Sequence, residues 1–280
     1  MPNAKELIEK GSIERILMRG SIGTGKTMQF LTLPGKKFLY VFEASSFNTI
    51  QGYDVTYEAY LAEKLNITVK AIPKGLKIGE GVLSKDSRLK AQAYAQFEEH
   101  FHTSLDNGYF DQFDTIGLDS ITSIADIMLD DILARDGRME YPPVLNDYNI
   151  LKTQIARLLR ALCALDKLLF VTAHTMYRQT NEASRKLLNE ILIPGDLQVR
   201  APLLFSTVLQ TYYETTTSGK KFMVQSVIDN HNENLKSSIP GLLNHHDVTI
   251  ENLNNPQASG LGKLIVDAKY VYERRAKAAI

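Results

Sequence analysis

The run Gly20-Ser21-Ile22-Gly23-Thr24-Gly25-Lys26-Thr27 fits the pattern G-x-x-x-x-G-K-[ST]. Its glycines let the backbone wrap a phosphate with several N–H groups pointing inward, and a helix beginning there adds its positive end. In such a loop Lys26 reaches the β and γ phosphates and the Thr27 hydroxyl ligates Mg²⁺, so the expected ligand is ATP with Mg²⁺. A second element, Phe113-Asp114-Thr115-Ile116-Gly117-Leu118-Asp119-Ser120, is an apolar strand ending in a carboxylate. This is the form of a Walker B element, in which Asp119 holds Mg²⁺ through its water shell. Ser120 follows Asp119 where many such ATPases carry a glutamate, so the base that activates water must come from elsewhere. Glu43 ends the apolar run Phe38-Leu39-Tyr40-Val41-Phe42, at the edge where open α/β sheets place their ligands. His174 ends Leu168-Leu169-Phe170-Val171-Thr172-Ala173 and emerges at the same edge, able to contact the γ phosphate and report its loss to the loop that follows.

These residues need a scaffold. Apolar runs of strand length alternate with helix-periodic segments, the pattern of a parallel sheet covered on both faces. Strands are expected at residues 13–18, 37–42, 115–118 and 168–173, with helices near 27–33, 86–105, 121–134 and 146–165. In the last of these helices Leu151, Ile155, Leu158, Leu159, Leu162 and Leu165 fall on one face. Residues 203–213 and 221–228, separated by Thr215-Thr216-Thr217-Ser218-Gly219, read as a β-hairpin that extends the sheet. An Asn-rich stretch, 244–262, reads as a surface linker and residues 263–279 as a final basic helix, dividing the chain into a core at 1–240 and an appendage at 241–280.

A chain of 280 residues buries a large α/β core without disulfides, and its one cysteine, Cys163, lies in an apolar helical run. No apolar run reaches a membrane span and the first residues lack the core of a signal peptide, which predicts a cytoplasmic protein with no membrane partner. The 32 basic and 32 acidic residues cancel, so nucleic-acid binding must rely on local patches. The pairs His100/His102 and His245/His246 lack companion ligands for a structural metal.

Together the phosphate loop, the strand-end glutamate of FLYVFEASS, the FDTIGLDS element and the LLFVTAH strand resemble the RecA-like ATPase core over roughly residues 11–240. They are similar in particular to compact phage ATPases of the single-strand annealing or recombination type. The resemblance implies Glu43 as catalytic base, His174 as sensor and, with a phage origin, residence in the host cytoplasm. It also implies DNA-facing loops, here Arg135 to Tyr141 with Arg138, and Met176 to Asn181 continuing to Arg185 and Lys186, with Tyr177 and Arg178 at its centre. Both mix arginine with tyrosine, a composition that grips phosphates and stacks bases, although acidic residues dilute it. A cation reaching the neighbouring subunit's γ phosphate would fall to Lys236, which has no arginine beside it, and a ring or filament of identical subunits is the family expectation.

Three readings stay open at this level. One is an ATPase acting on single-stranded DNA in recombination or annealing. Another is a helicase loader or replication-associated ATPase directed at a protein, such as a single-strand-binding or replication protein. The third is a nucleotide-gated binding module with little turnover. The sensor strand lacks the Asn-Lys-x-Asp pattern of guanine readers, and no acceptor pocket of a small-molecule kinase is recognisable.

Overall fold

A computed structural model of the chain describes residues 14–62, 91–179, 186–217 and 219–278, with side chains described to residue 270. Its elements in order are β1 (Arg15–Gly20), α1 (Lys26–Thr32), β2 (Lys37–Val41), α2 (Ser45–Ile50), β3 (Thr56–Ala59), α3 (Ala93–Asp106), β4 (Thr115–Asp119) and α4 (Ile121–Arg135). There follow α5 (Leu145–Ala164), β5 (Leu168–Gln179), β6 (Leu187–Ile191), α6 (Leu197–Arg200), β7 (Thr207–Thr216), β8 (Gly219–Gln225), β9 (His245–Asp247) and α7 (Gly260–Ala278).

The strands form one nine-stranded sheet in the order β3-β2-β4-β5-β1-β7-β8-β9, with β6 paired to the far half of β5. Pairing is parallel from β3 through β7 and antiparallel for β7–β8, β8–β9 and β5–β6. This is the mainly parallel α/β architecture with an antiparallel extension that a RecA-like core predicts. Successive strand residues point to opposite faces, and the apolar strands divide accordingly. Leu17, Phe38, Tyr40, Leu169 and Val171 enter one core with α3, α4 and α5. Ile16, Met18, Leu39, Val41 and Phe170 enter a second core with Phe30 of α1 and Leu261 and Ile265 of α7. Strands buried on both faces read as unbroken apolar runs, which is why they were visible in the sequence.

Two expectations change. β5 does not stop at residue 173: beyond His174 it leaves the main sheet and pairs with β6 from Thr175↔Ile191 to Gln179↔Leu187. The supposed linker is also partly structural, since His245–Asp247 adds a strand to β8 and Val248 is buried. The exposed edge of β8 supplies backbone partners that need no apolar pattern, so a polar His-His-Asp segment can pair there. The expected helix start at residues 86–90, residue 13 and Ser218 of the expected turn lie outside the described residues.

The terminal helix is fastened to the phosphate-loop helix. Gln29 of α1 donates through Nε2 to the Val248 carbonyl at 2.8 Å and accepts from the Leu261 N–H at 2.9 Å. The Thr32 hydroxyl accepts from the Gly262 N–H at 2.9 Å. A side chain at Gly262 would place its Cβ 1.7 Å from the Thr32 carbonyl oxygen. Gly262→Ala is therefore expected to lower stability by about 1–3 kcal/mol through forced separation of α1 and α7. A denaturation midpoint equal to that of the unchanged protein would show that the two helices separate at no cost. Among the described residues no helix is long and apolar enough to cross a membrane.

Candidate functional site

The phosphate loop leaves β1 at Gly20 and enters α1 at Lys26. Gly23 and Gly25 take φ of 76° and 83°, a left-handed turn that side-chain-bearing residues resist, and the loop closes around its own lysine. Lys26 Nζ donates to the carbonyls of Gly20 and Ser21, both at 2.9 Å, and lies 3.4 Å from His174 Nδ1. Burial draws its ammonium below the ordinary lysine value, opposed by the charges of Asp119 and Glu43. A buried cation with two neutral carbonyl partners is placed to exchange them for phosphate oxygens, a stronger, charge-assisted pairing. Thr24 ties the loop to the neighbouring strand through a 2.6 Å contact with the Thr211 hydroxyl, while Ile22 at the tip is 85% exposed.

Asp119, at the end of β4, is the hub of a hydroxyl cluster. The Thr27 hydroxyl donates to Oδ2 at 2.8 Å and Ser46 donates to the same oxygen at 2.7 Å. Thr172 donates to Oδ1. Asp119 and Thr27 thus meet directly, and both offer hard oxygens, the donor type that Mg²⁺ takes. Among the described residues no group of three or more His, Cys, Asp or Glu gathers anywhere. A magnesium ion here would be held by Thr27, by Asp119 and by the nucleotide's own phosphates, the arrangement Mg²⁺ favours over an all-protein cage.

Glu43 follows β2 and lies across from this cluster. Ser120, Ser123 and His174 all donate to its Oε1, at 2.5, 2.7 and 2.8 Å. Burial pushes the Glu43 carboxyl up, but the hydrogen bonds from His174, Ser120 and Ser123 outweigh it and hold the group down at about 2. His174 spans the site, with Nε2 on Glu43 and Nδ1 towards Lys26. An ammonium beside Nδ1 and a carboxylate beside Nε2 together favour the tautomer with the proton on Nε2. Its backbone N–H is held by the Thr122 hydroxyl at 3.1 Å. The four residues singled out from sequence, Lys26, Glu43, Asp119 and His174, therefore converge at one sheet edge.

The AAA_24 family of AAA domains matches residues 13–236. The chain belongs to this family. Membership makes it a P-loop ATPase of the AAA type, in a family that binds ATP with Mg²⁺. No curated protein matches this AAA domain. Among solved structures it is similar to a KaiC-like protein from Pyrococcus horikoshii OT3, at 13% identity over 92% of this chain and 94% of that one, with a TM-score of 0.41. It is also similar to the flagellar accessory protein FlaH from Methanocaldococcus jannaschii, at 13% identity over 89% of this chain and 93% of that one, with a TM-score of 0.36.

Sequence reasoning missed the hydroxyl partners of this AAA domain. Thr172 lies two residues before His174 on β5, a spacing that puts both on one face, and Ser46 lies three residues after Glu43. Those spacings were the available signals.

The expected DNA-facing residues belong to two regions, Arg135 and Arg138 at and beyond the end of α4, and Tyr177, Arg178 and Lys186 on or beside the β5–β6 hairpin. Arg135 ends α4 and pairs with Asp131 at 2.8 Å and Glu98 at 3.6 Å. Arg138 is corrected outright: only 9% exposed, it forks onto Asp147 at 2.5 and 3.1 Å and reaches Asp136 at 2.8 Å. Asp147 in turn accepts from the Val144 N–H at the start of α5, so Arg138 braces a helix end instead of facing a ligand. Tyr177 and Arg178 lie on the exposed half of β5, Tyr177 62% exposed and Arg178 paired with Glu190 at 2.7 Å. Lys186 pairs with Glu233 beside β6. Arg185 lies outside the described residues. Lys236 forms an isolated backbone bridge to Val208, and its Nζ is 3.5 Å from the Leu203 carbonyl.

Proposed function

We propose that this AAA domain hydrolyses ATP with Mg²⁺ and couples the nucleotide to the β5–β6 hairpin, whose target is single-stranded DNA. The observation that carries the reading is the position of His174, bonded to Glu43 and facing Lys26, at the residue where β5 leaves the main sheet for that hairpin. A shift of His174 during turnover would act on the first residue of the hairpin directly. Tyr177 offers an exposed ring for base stacking, and Arg178 and Lys186 offer cations for the backbone.

The chemistry required of the chain is positioning and charge. Held by Thr27 and Asp119, Mg²⁺ would supply neutralisation of the phosphates' negative charge. Lys26 holds phosphate oxygens from within the loop. Glu43 orients water and takes its proton, and release of Oε1 from its three donors would raise its basicity. In its fully hydrogen-bonded position it is a weak base, which keeps water activation low until His174 turns to the phosphate.

Steady-state ATP hydrolysis with and without single-stranded DNA, with Lys26→Ala as blank, tests the reading. Stimulation by DNA is the expected result; indifference to DNA overturns it. Arg178→Ala, alone or combined with Arg185→Ala, is expected to weaken single-stranded DNA binding several-fold in a fluorescence-anisotropy titration while hydrolysis without DNA persists. Unchanged affinity in the double variant would remove the hairpin from the model of action.

A second reading has its own support. Arg178 and Lys186 are each met by a glutamate, and the chain carries no net charge, which suits a protein partner better than a polyanion. A helicase loader or replication-associated ATPase of this design would respond to a replication protein instead of DNA. Assembly into a ring or filament of identical subunits belongs to either reading, and Lys236 is the cation proposed to act across the interface.

A further inference from the structure

One buried charge beside the phosphate loop takes no part in the phosphate chemistry: Arg19, the residue before Gly20. It is 0% exposed and lies in register with Ala173 of β5 and Gln210 of β7. Strand alternation puts it on the face of Leu17, which enters the core shared with α3, α4 and α5. Its Nη2 donates to Asn232 Oδ1 at 3.3 Å, and among the described residues its Nε and Nη1 meet no acceptor. A guanidinium enclosed with one neutral partner is destabilising unless opposite charge lies close. Burial draws its proton affinity down to about 10, against the opposing charges of Glu190 and then Asp229, so it stays a cation at neutral pH.

Asn232 joins Arg19 to the β5–β6 hairpin. Its Oδ1 also accepts from Asn189 Nδ2 at 3.1 Å, and the Asn189 N–H donates to the His231 carbonyl at 2.7 Å. Asp229 is engaged by neutral donors: its Oδ1 accepts from the N–H groups of His231 and Asn232, both at 2.7 Å, and its Oδ2 from Gln225 Nε2 at 2.8 Å. Glu190 differs. It follows Asn189 on β6, is 4% exposed, and is paired by the half-exposed Arg178, whose Nε lies 2.7 Å from Oε2. Two arginines thus act on one buried carboxylate, Arg178 from the hairpin and Arg19 from the strand that runs into the phosphate loop.

We propose that Glu190 is shared between these arginines and that Arg19 is a positioning residue through which the hairpin acts on the phosphate loop. When an anionic ligand of the hairpin takes Arg178, Glu190 turns to Nε and Nη1 of Arg19, a charge-assisted pairing that a neutral amide does not match. The guanidinium then shifts at the residue whose carbonyl accepts from the Thr211 hydroxyl at 3.1 Å and whose successor opens the loop. This line runs through β6 and β1 and is separate from His174 on β5. Linkage makes it reciprocal: nucleotide in the loop changes the hairpin's affinity for its ligand by the same factor. The inference rests on the hairpin being the ligand-binding element proposed above.

A double-mutant cycle on ATP affinity tests the link with no DNA present. Arg178→Ala is expected to change the ATP affinity of the otherwise unchanged protein by about three-fold or more in a calorimetric titration. In an Arg19→Met background the same change is expected to move it by less than about 1.5-fold. Glu190→Gln keeps the side-chain shape and removes the shared charge, so it should silence Arg178→Ala equally, and it carries the test where Arg19→Met does not fold. A merely structural Arg19 would lower the unfolding midpoint and leave the effect of Arg178→Ala intact. That result overturns the proposal, as does an Arg178→Ala without effect in the unchanged protein. Failure of the single-stranded DNA reading has a different signature: the cycle shows the coupling, while hydrolysis by the unchanged protein ignores DNA.

Discussion

Lys26→Ala is expected to lower ATP turnover by at least about 100-fold and to weaken ATP binding, the scale seen when a preorganised charge is removed from a developing negative centre. Lys26 is only 6% exposed, and its Nζ lies between the Gly20 and Ser21 carbonyls and the His174 ring. The protein has already taken the desolvation cost of that ammonium during folding, as its lowered proton affinity records. Phosphate oxygens arriving there meet a desolvated cation that exchanges its two carbonyl partners for them. Phosphate release and calorimetric nucleotide titration measure the two effects. Undiminished turnover in the variant would place the phosphates elsewhere.

Glu43→Gln should separate binding from turnover: ATP affinity within a few-fold of the unchanged protein, and hydrolysis slower by about 100-fold or more. The amide oxygen can still accept from Ser120, Ser123 and His174, so the local geometry survives. The carboxylate that accepts a proton does not. Persistence of normal turnover would favour a different base. The same substitution has a stability signature. The folded protein holds Glu43 at about 2 against an ordinary 4.5, so its hydrogen bonds contribute fully above about pH 4.5 and are lost as the pH falls towards 2. Acid unfolding of Glu43→Gln should be less steep across that window.

Much of this site could be read from the chain because each residue sits at a place where sequence and geometry coincide. The phosphate loop lies between an apolar strand and a helix, and Glu43, Asp119 and His174 each close an apolar run. Parallel strands bring such ends to one edge. Where pairing is made by polar or edge residues, the sequence is silent. β9 consists of His-His-Asp, β3 is a four-residue edge strand with two residues exposed, and the second half of β5 is recognisable only from its antiparallel partner. Arg138 looked available because its loop composition suited nucleic acid. Its carboxylate partner Asp147 lies nine positions on, where neither helical nor strand periodicity connects them.

The fastening of α7 to α1 bears on the order in which the protein can be made. Gln29 and its partner Leu261 are 232 positions apart in the chain, and Thr32 meets Gly262 over a similar span. During synthesis the helix that carries the phosphate loop emerges more than 200 residues ahead of Leu261 and Gly262, and the face that meets them stays uncovered until they follow. A nascent chain stalled before residue 260 would therefore carry the complete nucleotide motif on a helix seated on the sheet but open on its α7 side.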